Sequence, residues 1–235
     1  MISASNQERE GPMENYEGIV GVLAEELSRV ENVFRGLSAV EWATRTMLVP
    51  VDPELPHWTV FELAGHFDIS IGLTSMLLDG RDDSQPARDR TSFFINPRSE
   101  TGPVVYTYAY TMVDGKTPEQ MPDVLAGTFS KAIEGCRAVS ADTVGPGYFA
   151  PMRVDEFAAS RIVEAVVHGL DLTLALGRET IASPEGIAAT AAILDDLLAR
   201  RTLGSRPADL TDDLAWIMAA SGRADHSDNR LPLIG

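Results

Sequence analysis

Apolar residues return every three or four positions at Ile19, Val22, Leu23, Leu27, Val30 and Phe34, which predicts a helix from about Tyr16 to Leu37. Residues 1–13 carry no such period and are expected to be disordered. Ser38-Ala-Val-Glu41 has the spacing of a capping box, in which a hydroxyl and a carboxylate satisfy each other's free backbone donors, and predicts a short turn through Trp42. After the prolines at 50, 53 and 56, a second capping box at Thr59-Val-Phe-Glu62 opens a helix with Leu63, Phe67, Ile71 and Leu78 on its apolar side, stopped at Asp79-Gly80. His66 falls two turns into it.

From Arg81 to Thr117 the pattern changes. Asp, Arg, Ser and Pro interrupt it, and tyrosines at alternate positions 106, 108 and 110 in PVVYTYAYTMV predict a strand inside a long loop. Long loops in compact domains carry function, so substrate selectivity is expected here. Helical spacing resumes over Pro118–Val139. It returns, after the turn-rich ADTVGPGYFAPM, over Val154–Leu176 with Gly177 as the stop. Ser183-Pro184-Glu185 opens a further helix to about Arg201, and TDDLAWIMAASG a last short one. The expected fold is all-α: a four-helix bundle over residues 14–180 with a short, mainly helical extension over 181–235.

On the helix from Val154, a spacing of about 100° per residue places Val163, Val167, Leu170 and Leu174 on one stripe. Beside it, at the edge of the buried face, run Arg161, Glu164, His168 and Asp171. Glu164 and His168 lie one turn apart and can converge on a common point. The plain alternative is a solvated helix pair. His66 on a facing helix changes the picture, because bundles build metal sites from inward side chains of facing helices. Two imidazoles and one carboxylate, with a position left open, is the pattern of catalytic zinc, although the same set also makes the facial triad of non-haem Fe2+ enzymes. Closed structural zinc sites favour cysteine, and this chain has only Cys136.

Composition narrows the classes. With 235 residues, 44% of them hydrophobic, one sizeable core is affordable. The formal charge of −16, from 35 acidic and 19 basic residues, argues against nucleic acid and anionic membranes as partners. No signal-like or membrane-spanning stretch is seen, and a single cysteine fits a reducing compartment, so a cytoplasmic location is expected.

Two stretches, HWTVFELAGHFDISIGLTSMLLDG at 57–80 and DEFAASRIVEAVVHGLDLTLALGRE at 155–179, resemble the DinB-like superfamily, in particular the actinobacterial mycothiol-dependent maleylpyruvate isomerase family. The likeness extends from about Glu14 to the endings DDLAWIMAASGR and RLPLIG. It implies a DinB-like four-helix bundle with His66, Glu164 and His168 as metal ligands. It further implies zinc as the ion, mycothiol as thiol cosubstrate and an electrophilic acceptor, with a homodimer allowed. A divalent cation favours thiolate over thiol and so activates the nucleophile. The segment after 181 reads as too short and too helical for the αβ substrate domain of the isomerases proper. The expected activity is therefore S-transfer or thiol exchange, with isomerisation of the maleylpyruvate type, a non-catalytic metal-binding stress bundle, or an iron oxygenase as alternatives.

Around the ligands, Asp171 could fix an imidazole tautomer or be a surface carboxylate. Arg161 could orient Glu164, grip a substrate carboxylate or form a structural ion pair. Tyr106 and Tyr108 could wall a pocket for a sugar or aromatic acceptor, or pack a sheet together with Tyr110. Cys136 reads as a packed small hydrophobe. His57 and His226 read as solvated.

Overall fold

A computed structural model describes residues 15–50, 52, 54–82, 84–95 and 98–234. The expected disorder of residues 1–13 lies outside the described residues. Helix α1 (Tyr16–Arg35) begins where the Asn15 side chain accepts from the Gly18 amide, and it buries the stripe Ile19, Leu23, Leu27, Val30 and Phe34. The capping box at Ser38 starts the single turn α2 (Ala39–Trp42), and that at Thr59 starts α3 (Val60–Asp79). In each, the glutamate three residues on accepts from the cap's own amide, so the helix begins where local donors are satisfied.

The strand expected at 103–113 is a helix. Residues Arg98–Val113 form α4, after a 3-10 turn at Ser92–Ile95. Within it Tyr106, Ala109 and Val113 are buried, a spacing of three and four that the alternating tyrosines had masked. Tyr106 faces inward, whereas Tyr108 is 43% exposed. Thus the long loop expected over 81–117 is largely structured. Pro118–Gln120 forms a 3-10 turn and leads into α5 (Met121–Arg137), where Pro122 occupies the first turn and loses no ladder bond. A two-residue antiparallel pair, β1 (Val144–Gly145) with β2 (Met152–Arg153), closes the turn before α6 (Val154–Ala175).

Helix α3 packs against α4, α5 and α6, and α1 against α5 and α6, so α1, α3, α5 and α6 make the bundle and α4 flanks it. Seventeen of the 22 residues of α6 are buried. A helix enclosed on nearly all sides has no solvated face. The charged stripe expected at the edge of its buried face therefore lies inside the protein.

Helix α7 (Pro184–Thr202) starts at the Ser183 cap and packs on α6, with α8 (Asp213–Ala220) behind it. Glu26, 2% exposed on α1, accepts from the amide and hydroxyl of Ser183, which ties the start of α7 to the bundle. One apolar cluster runs from Ile19 to Leu233, so the extension shares the bundle's core. The fold is all-α, with β1 and β2 the paired strands among the described residues. Among the same residues no helix is long and apolar enough to cross a membrane.

Candidate metal centre

The capping box at Thr59 sets the phase of α3, and with it the direction of His66. The close approach of α4 does the rest. A Cβ on Gly65 would lie 2.4 Å from the Ala109 carbonyl oxygen, so only glycine lets α4 pass at this height. Trp58, just ahead of the cap, stacks on the His66 ring at 5.2 Å between centroids and on Tyr106 at 4.5 Å. The Trp58 amide donates to the Tyr106 hydroxyl oxygen.

Across from His66, α6 presents Glu164 and His168. Glu164 Oε2 lies 3.3 Å from His66 Nε2 and 3.4 Å from His168 Nε2. One donor atom from each of the three residues falls within 4.8 Å of the others. Four ligands placed tetrahedrally about 2.0–2.1 Å from a zinc ion are separated by about 3.3–3.4 Å. The donor set and its spacing thus fit a small divalent ion with two imidazoles and one carboxylate.

Charge is concentrated here. Burial opposes ionisation of Glu164, but hydrogen bonds to His168 and His66, with Arg161 nearby, outweigh it and hold the carboxyl well below the usual range. His66 is pulled below the ordinary imidazole value by burial and by His168, against the opposing pull of Glu164. Burial pulls His168 the same way, yet Asp171 and Glu164 outweigh it and its pKa is raised. The two imidazoles therefore differ because only His168 has a second carboxylate. His66 Nδ1 is buried and has no partner among the described residues.

Asp171, 2% exposed, is no surface carboxylate: its Oδ2 lies 2.8 Å from His168 Nδ1. Burial alone would raise its pKa, but Arg223 and the His168 contact bring it down to about 2. Arg161 is 1% exposed and donates to the Ser70 carbonyl and the Ser160 hydroxyl, with its guanidinium over the rings of Phe93 and Phe157. Its Nη2 stands 4.0 Å from Glu164 Oε1, a distant ion pair rather than a hydrogen bond.

His66, Arg161, Glu164 and His168 line a cavity of about 460 Å³ together with Trp58, Phe93, Phe94, Tyr106, Tyr108 and Phe149, with Asp171 behind them. That volume suits a small-molecule ligand. The segment expected to confer selectivity does supply much of this wall, but from α4 and the preceding turn. Tyr110 stays outside and donates to the Pro56 carbonyl. Cys136 is buried and outside the cavity lining, with its thiol pushed up by burial. His57 and His226 also lie outside, each only partly open to solvent. His57 is half-buried with Nδ1 unpartnered among the described residues, and half-buried His226 pairs with Asp209.

Arg201, Arg223 and Pro232–Ile234 of the extension also line the cavity and were not anticipated. Arg223 forks onto Asp171 across 52 residues of chain, a pairing that no local spacing reveals.

The family model for the mycothiol maleylpyruvate isomerase N-terminal domain matches residues 23–173. The chain belongs to this family. The matched span runs from within α1 to nearly the end of α6, holds all three candidate ligands, and ends ahead of α7. Comparisons with curated proteins and with solved structures returned no match.

Proposed function

We propose that this family member is a zinc-dependent enzyme that presents a low-molecular-weight thiol, mycothiol by family, as thiolate to a small electrophilic acceptor. His66, Glu164 and His168 would hold the ion. The observation that carries the reading is their spacing, 3.3 and 3.4 Å about one carboxylate oxygen, in the wall of a partly enclosed cavity. When bound, a divalent cation lowers the pKa of a thiol so that the nucleophilic form is present at neutral pH.

The chain's own residues supply the rest. Asp171 accepts a hydrogen bond from His168 Nδ1–H, so that Nε2, on the cavity side, would be the nitrogen that gives up its proton to the metal. Arg161 adds a buried positive charge beside Glu164, which favours an anionic ligand in the cavity. The largely apolar and aromatic wall suits an acceptor with an apolar body. Helices α7 and α8 and the segments joined to them share the bundle's core and add Arg201 and Arg223 to the cavity wall. S-transfer or thiol exchange onto such an acceptor is the first reading. The family description favours isomerisation of the maleylpyruvate type as the second reading.

Calorimetry on the zinc-loaded chain with mycothiol and with glutathione tests the proposal, followed by product analysis with electrophilic acceptors and with maleylpyruvate. Zinc-dependent mycothiol binding and a stable thioether product support transfer. Turnover of maleylpyruvate without a retained adduct would shift the reading to isomerisation, and absence of thiol binding to the zinc form would overturn both.

A further inference from the structure

Helix α8 ends on a local signal with a distant consequence. Gly222 adopts φ +74, the Gly222 amide donates to the Ala219 carbonyl and the Arg223 amide to the Met218 carbonyl. This is the paired closure of a helix end around a left-handed glycine, and it fixes the direction of the residue that follows. That residue is Arg223. Its Nε donates to Asp171 Oδ1 at 2.9 Å and its Nη2 to Oδ2 at 2.6 Å, while Nη1 donates to the Ser221 carbonyl. Both side chains are out of solvent, 7% and 2% exposed.

A carboxylate gripped on both oxygens cannot rotate, and the oxygen facing His168 is one of the two. We propose that Arg223 is a positioning residue for the metal centre. Through Asp171 it fixes the ring of His168 with Nε2 toward the cavity, so the C-terminal segment completes a site whose three candidate ligands all lie in the bundle. The proposal rests on the reading of His66, Glu164 and His168 as metal ligands.

The test compares zinc affinity, by chelator competition on the full chain, for wild type, Arg223→Gln, Asp171→Asn and the double variant. Arg206→Gln is the control, since Arg206 pairs with Asp195 and Asp213 in the same extension and does not touch the cavity. Outer groups of metal sites are worth about 10–100-fold in affinity, and Arg223 acts one step further out, so a loss of about tenfold is expected. The control stays at the wild-type value, and the double variant is no weaker than Asp171→Asn alone. Arg223→Gln within twofold of wild type, or losses that multiply in the double variant, would overturn the role. If the wild type takes up no zinc, the ligand reading itself falls. The His168 Nδ1 proton resonance of the metal-free chain then decides: retained unchanged in Arg223→Gln, it overturns the positioning role, and lost, it supports it.

Discussion

Zinc uptake is expected to release one proton per ion in the pH window between the two imidazole values, a number that follows from how the three side chains titrate. Burial and His168 pull His66 below the ordinary imidazole value, and Glu164, despite burial, is held well below the carboxylate range by its two imidazole partners. Both are already in the ligand form at pH 7. His168 is the exception: burial lowers it, but Asp171 and Glu164 raise it further, so below its raised value it keeps a proton that metal must displace. Between the lowered His66 and the raised His168, a window that brackets about pH 6.5, log affinity should rise with a slope of one. Each pH unit is then tenfold, or about 1.36 kcal/mol, and the curve flattens above the His168 value. Asp171→Asn removes the charge that raises His168, so its plateau begins at lower pH. Isothermal calorimetry in buffers of differing ionisation enthalpy counts the protons directly. A slope of two across the window, a flat profile, or an unmoved plateau in Asp171→Asn would refute this assignment.

Other outcomes follow from the same geometry. Gly65→Ala drives a methyl into the Ala109 carbonyl and the Val113 side chain. Overpacking of this kind costs about 1–3 kcal/mol. That is roughly 2–12 °C in Tm for a chain of this size, read by thermal unfolding, with weaker zinc uptake because His66 adjoins the contact. Glu26→Ala strands the buried Ser183 amide and hydroxyl at the start of α7, for about 1–3 kcal/mol by denaturant titration. In the metal-free chain, the raised His168 contributes stability that is complete below about pH 6.5 and is lost as pH rises through its folded value. The lowered Asp171 contributes above 3.8 and is lost as pH falls through about 2. Urea midpoints across pH should show both limbs.

What could be read from the chain was what is decided locally. The boxes at Ser38 and Thr59 and the Ser183 cap each satisfy donors within three residues, and all three start helices where their spacing predicts. The 3.6-residue period of α6 was enough to bring Glu164 and His168 to one point. Helix α4 carries a strand-like pattern because β-branched and aromatic residues crowd VVYTYAYTMV. The helical signal rests on Tyr106, Ala109 and Val113, two of which are not conspicuous in a run of that kind. Its helicity is decided by packing against α3, a tertiary effect that overrides local preference. The same limit hid Arg223: its partner is 52 residues away, and only the folded path of the extension brings the two together.

Metal content tests the account most directly. Elemental analysis of the protein, purified under metal-replete conditions, is compared with that of His66→Ala and His168→Ala. The account predicts close to one zinc per wild-type chain and its loss in both variants, each still helical by circular dichroism. A wild type without metal, or variants that retain it in full, would contradict the assignment of His66, Glu164 and His168 as the centre.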